Sequence, residues 1–411
     1  MTVLPAQSET APAPPRTSAF VVFVLGVLSA CGPLSIDFYL PGLPAIARDL
    51  HSDAGAAQRT VAVFFFGMAL GGLFYGPISD RFGRRLPLFA GLALYVAASA
   101  GCALATSMEF LTIMRFLQAL GACAGVIIAR AVVRDRFSPR ETVQIFSTLM
   151  LIFGVSPILA PLFGGWVLLV ADWRTIFWIL TAFGAMILAM VYFWVPESRS
   201  SETETLARSE NPLISYRTLM TNSNVMGFVL IGAFAGASMP TYVSSSPSVM
   251  IGGYHVSPEM FGWFFGINGA GLIGGSQING FIGRYYPPDL VLKVANRISF
   301  GLAIIMLINA VTGFGGMWGV LAPLFLLITS MGFNQPNSLA GAMAEDPHRA
   351  GAAASLVVSG QLAVGTMCSF AASAFLDGSP RPMALVITLS TGIAVALFAI
   401  MRPQSAHFGR R

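Results

Sequence analysis

Charge is scarce in this chain. Asp, Glu, Lys and Arg supply 10% of its 411 residues against 55% hydrophobic, and the mean hydropathy is +0.73. So little polar surface argues against a soluble all-helical enzyme and for a chain that faces lipid. Cysteine is scarce too. Cys31, Cys102, Cys123 and Cys368 are scattered in apolar stretches without metal-ligand spacing, so neither a metal site nor a disulfide framework is expected. No confined set of nucleophile, acid and base appears either. Ser244, Ser245 and Ser246 alone do not meet that need, so the chain is read as no enzyme and as needing no cofactor.

What is present is apolar length. A membrane helix takes about 20 mainly apolar residues, and such runs recur near 20–42, 58–77, 86–105, 109–131, 142–167 and 173–194. The second half gives 222–243, 259–283, 293–313, 317–343, 350–376 and 381–402. These runs predict an all-α integral membrane protein with twelve transmembrane helices. The long polar connection Pro196 to Asn224 divides them into two pseudo-symmetric six-helix bundles. The expected organisation is a disordered tail over 1–19, a bundle over 20–195, a linker over 196–221, a second bundle over 222–402 and a tail over 403–411. The first apolar run carries no obvious cleavage signal and is read as a retained helix. A weak repeat supports the division, since Gly76 and Asp80 align with Gly275 and Asn279 at the second helix of each half.

Basic residues favour short cytoplasmic loops. With both termini inside, 18 of the 23 Lys and Arg residues fall on the inner side and four on the outer, leaving Arg115 within a helix. The basic balance therefore reflects topology, and no nucleic-acid partner is implied.

Two charges lie at membrane depth, where they are costly and mark translocation sites. Asp37 stands in SIDFYLPGLP, about five residues or roughly 8 Å from the outer end of the first run. Arg115 stands about six residues or roughly 9 Å into the fourth, so the two can meet directly or through water. Protonating Asp37 would weaken that attraction and couple water access to proton arrival. Substrate orientation and static helix pairing are the alternatives. Gln118, three residues after Arg115, is a neutral hydrogen-bonding contact on nearly the same face.

The most specific local pattern is Gly76-Pro-Ile-Ser-Asp80-Arg81-Phe-Gly83-Arg84-Arg85, at an inner turn. Its glycines suit a tight helix end and its charges an ion network, so a cytoplasmic gate brace is expected, completed by Arg134 and Asp135, with a plain basic topogenic loop as the alternative. Asp80 is a candidate acceptor for an adjacent helix N-terminus. On the fifth helix, Gly154, Pro157, Pro161, Gly164 and Gly165 form a series suited to a bend that controls access, with plain packing as the alternative. A substrate cavity can draw on Tyr39, Phe65, Gln118, Met239, Tyr242, Phe264, Asn268 and Asn334. Phe64, Phe65 and Phe66 cannot all face it, nor can Trp263 and Phe264, so some face lipid or neighbouring helices. Pro240 and Pro247 mark the seventh helix as broken or bent, and Asn334-Gln335-Pro336-Asn337 is a second polar interruption.

GPISDRFGRR, RFLQALGACAG, GVSPILAPLFGG and SIDFYLPGLP together resemble the major facilitator superfamily, specifically its bicyclomycin and chloramphenicol resistance branch of drug/proton antiporters. The resemblance covers residues 20–402. It implies export of small amphipathic drugs from the bacterial cytoplasm across the inner membrane, driven by the proton gradient, by a protein working as a monomer in lipid. On that reading Asp37 takes the proton or orients substrate, Arg115 is its conformational partner and Asp80 belongs to the gate. Asn279 departs from the charged signature, so the matching gate of the second half would rest on packing and neutral hydrogen bonds. A proton-coupled importer is the nearest alternative, and a non-transporting receptor or scaffold a more distant one.

Overall fold

The computed structural model describes residues 19–199, 205 and 212–404, and every regular element among them is helical. The tails at 1–18 and 405–411 and most of the linker lie outside the described residues.

Helix α1 (Ala19–Asp37) stops just before two prolines. Pro41 sits in a 3-10 turn (Leu40–Gly42) and Pro44 in the short α2 (Leu43–Asp49). The first apolar span therefore continues to Asp49 rather than to residue 42, and Asp37 lies correspondingly deeper than its expected five residues. Helix α3 (Ala54–Phe82) begins where the Asp53 carboxylate accepts the Ala56 N–H at 2.8 Å, and ends at Gly83, whose φ of +89° suits glycine. Next come α4 (Arg85–Ala103) and α5 (Met108–Arg136), followed by α6 (Pro139–Val170), which opens on a Ser138/Glu141 capping box. Helix α7 (Trp173–Trp194), capped by Asp172, completes the first half.

The second half comprises α8 (Pro212–Thr221), α9 (Ser223–Gly236), α10 (Ser238–Pro247), α11 (Pro258–Ile282), α12 (Pro288–Thr312), α13 (Gly316–Glu345), α14 (Ala350–Ala374) and α15 (Arg381–Met401). The expected break in the seventh run is present. Its α-helical stretches meet at Ala237, and a π turn (Ser248–Gly253) follows Pro247. The interruption expected at 334–337 is not, because α13 runs through Pro336. One turn earlier, Gly332 lies against the α11 backbone at Gly275 and Ser276, and this close packing supports the helix through the proline.

Ten spans among the described residues are long and apolar enough to cross a membrane. Helix α6 adds a shorter apolar stretch, Val155–Val170. Helices α1 and α3–α7 pack on one another, as do α9–α15, and the two groups meet chiefly along two seams, α3 against α14 and α6 against α11. Glycine makes both seams tight. A Cβ on Gly165 would stand 2.8 Å from the Pro258 carbonyl oxygen, one on Gly262 2.8 Å from the Leu162 nitrogen, and one on Gly55 2.7 Å from the Ser373 carbonyl oxygen. These contacts lie at the end away from Ala19 and Gln404. Toward the end that carries the termini a Cβ on Gly72 would meet Ser359 Oγ at 2.8 Å, and beside it Tyr216 of α8 donates to the Leu73 carbonyl oxygen at 3.1 Å, while Gly76, one turn on, faces nothing within 4 Å.

Gly262→Ala combined with Gly165→Ala is therefore expected to part the tight end. Spin labels at positions 48 and 252, on opposite groups, should show a longer distance population than in the parent protein. An unchanged distribution would mean that these glycines do not hold the seam.

Candidate functional site

Arg115 is fully buried in the first group of helices, and its surroundings explain how a guanidinium is tolerated there. Its Nη1 donates to the Ser35 carbonyl oxygen at 3.1 Å, near the C-terminal end of α1, and to Gln118 Oε1. Gln118 in turn donates to Ser99 Oγ at 2.7 Å. The guanidinium carbon lies 4.0 Å from the ring centre of Tyr39, 4.3 Å from that of Phe64 and 5.7 Å from that of Phe177. Desolvated cation–π contacts of this kind contribute about 2 kcal/mol. Nε and Nη2 make no hydrogen bond, so these rings are what those nitrogens have.

The expected Asp37–Arg115 contact is not formed directly: no ion pair joins the two among the described residues, and the cation is satisfied by a carbonyl, an amide and aromatic faces. Asp37 is 5% exposed. Among the described residues its carboxylate has no hydrogen-bond or ion-pair partner, yet neither oxygen is sealed off. Its electrostatic neighbour is the Tyr242 hydroxyl, on α10 of the other group. Asn268 donates to that hydroxyl at 2.8 Å, and the Tyr242 ring stacks on Phe265 with centres 5.4 Å apart. The carboxylate thus sits where the two groups of helices face each other.

The other cavity candidates divide. Tyr39 and Gln118 belong to the Arg115 cage, while Tyr242 and Asn268 stand across from Asp37. Phe65 is buried and Met239 partly buried in the same apolar core. Phe264 turns to Trp318 of α13, with ring centres 5.8 Å apart, and Asn334 turns to Ser299 of α12 at 3.2 Å. Both pack within the second group. Phe66 and Trp263 are exposed on the outside of the bundle, as consecutive aromatics require. Of the α6 series, Gly165 serves the seam with α11 and Gly164 lies against the Phe38 carbonyl. Helix α6 runs unbroken through Pro157 and Pro161, and the surroundings of Gly154 fall outside the described residues.

At the end that carries the termini, Arg84 is buried and forms the hub of a network. It pairs with Asp80, donates to Ser79 Oγ at 2.8 Å and reaches Asp135 Oδ2 of α5 at 2.7 Å. Asp80 therefore pairs with Arg84, where a helix N-terminus was expected. Arg134 is exposed and lies 4.0 Å from Asp135, and Arg85 packs over Phe89 and Tyr192 while donating to the Tyr192 carbonyl oxygen. Every member of this brace comes from the first group. Sequence reasoning missed Glu197 and Arg199. The Glu197 carboxylate accepts the N–H groups of Arg84 and Arg85 at 2.9 and 3.0 Å, and Arg199 donates to the carbonyl oxygens of Asp80 and Arg81. An anion thus caps the start of α4 and a cation the end of α3. Their signal was position, as the first charges after the run that ends at Trp194.

Burial alone would raise the Glu197 carboxyl, but the N–H groups of Arg84, Arg199, Arg85 and Ser198 outweigh it and hold it below its ordinary value of 4.5. A carboxyl lowered on folding stabilises the clamp fully above its unfolded value and loses that contribution as pH falls through the folded one. Hydrogen exchange at the Arg84 and Arg85 amides, relative to its intrinsic rate at each pH, should accelerate only below about pH 4.5. Glu197→Ala should raise it roughly tenfold already at pH 7, as expected for losing about 1.5 kcal/mol of charge-assisted bonding. Equal protection in parent and variant would remove Glu197 from the clamp.

Residues 25–367 match the profile of the Major Facilitator Superfamily. The chain is 34% identical over 351 residues to the MFS-type transporter YdgK of Bacillus subtilis, covering 85% of this chain and 87% of that one. It is 29% identical over 386 residues to a bicyclomycin resistance protein homolog of Haemophilus influenzae, covering 93% and 96%. Among solved structures, a bacterial homolog of the human lysosomal transporter Spinster superposes with a TM-score of 0.72 at 14% identity, covering 94% of this chain and 97% of that one. The chain belongs to the Major Facilitator Superfamily and is a multi-pass secondary-active transporter, not an enzyme.

Proposed function

We propose that this protein exports small amphipathic drugs from the bacterial cytoplasm across the inner membrane in exchange for protons, by alternating access between two six-helix bundles. The observation that carries the reading is Asp37, a carboxylate buried between the two groups of helices and, among the described residues, without a hydrogen-bond or ion-pair partner. Such a group can gain and lose a proton without first breaking an ion pair. Arg115, held by its cage of rings and a carbonyl oxygen, leaves that carboxylate unpaired.

Twelve crossings follow if α6 and α11 span the bilayer beside the ten long apolar spans, with bundles over 20–195 and 222–402. The basic-residue bias favours termini in the cytoplasm, and on this reading the tight glycine contacts lie on the outer side. The Arg84 brace, confined to one bundle, keeps the inner ends of α3, α4 and α5 together as that bundle rocks. Gly76, Asp80, Arg81, Gly83, Arg84, Arg85, Arg134 and Asp135 are its gate residues on this reading. The α6 series Gly154, Pro157, Pro161, Gly164 and Gly165 is the bend beside the seam. The bicyclomycin-resistance name of one relative supports drugs as the substrate class. The proton gradient supplies the energy, and the protein acts as a monomer in lipid.

Proteoliposomes carrying the parent protein or Asp37→Asn, with a drug panel and a pH-sensitive dye, test this. The variant should insert normally and lose uphill transport. Normal drug-coupled proton flux in it would reject Asp37 as the coupling group, and drug and protons moving in the same direction would make the protein an importer.

A further inference from the structure

Pro77 stands inside α3, and a proline there deprives one main-chain acceptor of its donor. The acceptor is the carbonyl of Leu73, four residues earlier, which would take the N–H that Pro77 lacks. Tyr216 of α8 supplies the donor instead, its hydroxyl reaching the Leu73 oxygen at 3.1 Å. The chain meets the same need elsewhere: Pro240 frees the Gly236 carbonyl, and Gln361 of α14 donates to it at 3.4 Å. That bond stays within the second group of helices, whereas the Tyr216 bond reaches the first.

Helix α8 itself belongs with the second group. Leu219 is buried in the apolar core that Val225, Phe228 and Val357 share. A single residue, Asn222, joins α8 to α9, and its side chain accepts the Asn224 and Val225 N–H groups at 2.9 and 3.2 Å. The elbow is thus capped, and α8 keeps its place on that group. The Tyr216 hydroxyl also shares a side-chain hydrogen bond with Ser355 of α14. One phenol therefore ties the second group to α3, at the end that carries the termini. A hydrogen bond is lost beyond about 3.5 Å, so any parting of α3 from α14 at this end must break it.

We propose that Tyr216 is a latch on the inner side of the two bundles, a positioning residue that holds α3 to the second bundle until that side opens. The inference deepens the transport reading and rests on the bundles moving against each other, not on what is carried. It also gives Pro77 a purpose. With an N–H at position 77 the Leu73 carbonyl would be satisfied permanently within its own helix. Without one, its partner sits on the other bundle and can leave, with water taking its place.

Spin labels at positions 82 and 351, at the adjoining ends of α3 and α14, test this on the full chain in nanodiscs without drug or proton gradient. Tyr216→Phe keeps the ring and deletes only the donor. It should raise the ratio of separated to joined populations about fivefold, as expected for losing one hydrogen bond. Labels at 48 and 252, at the opposite end, should keep their distances. Pro77→Ala returns an N–H to α3, and in that background Tyr216→Phe should change the ratio less than about twofold. An unchanged ratio in Tyr216→Phe, an equal effect with and without Pro77, or widening at both ends overturns the latch. Transport is not the readout, so failure of the Asp37 coupling and failure of the latch are told apart.

Discussion

The Arg115 guanidinium is held by aromatic faces and a backbone carbonyl, and the rest of the interior depends on that choice. Buried cations ordinarily demand a buried anion, and removing one partner of such a pair costs several kcal/mol. Here Tyr39, Phe64, the Ser35 carbonyl and Gln118 take the charge, and Asp37 is left out of the bargain. Had the two paired, the carboxylate would be locked in its ionised form and tied to one bundle. Freed, it faces Tyr242 on the other.

The same division between fixed and movable charge runs along the molecule. At the end that carries the termini, ionic contacts lie within one group of helices, where Arg84 ties α3 to α5 and Glu197 ties the exit of α7 to the start of α4. Between the groups, the tight contacts are made by glycine and backbone, with few hydrogen bonds such as Gln58 to Ser245 at 2.8 Å. Strong, directional bonds hold each group rigid, and weak, non-directional ones hold the groups together. This arrangement suits rigid-body motion.

Much of this was legible in the sequence, for physical reasons that differ by element. Apolar runs of membrane length locate the helices because lipid imposes their length, and Asp37 and Arg115 stood out because charge at that depth is rare. Distances were not legible. Counting residues from an apolar boundary placed Asp37 too shallow, since Pro41 and Pro44 end α1 but do not end the crossing. Their equal depth suggested a pair, but sequence gives no side-chain direction, and the aromatic cage draws Phe64 from α3 and Phe177 from α7. Asn334 and Phe264 were polar or aromatic in the right crossings yet face their own bundle. Pro336 looked like a break because the glycine contact that supports it is tertiary.

The glycine seams carry a kinetic implication. Where main chain meets main chain, parting the surfaces asks no long side chain to leave one rotamer and find another, and rejoining requires no re-sorting of interlocked knobs. Such an interface offers little friction. On the proposed reading, the pace of the conformational cycle would then be governed by loading and unloading of the central carboxylate, with the scaffold following as a smooth bearing.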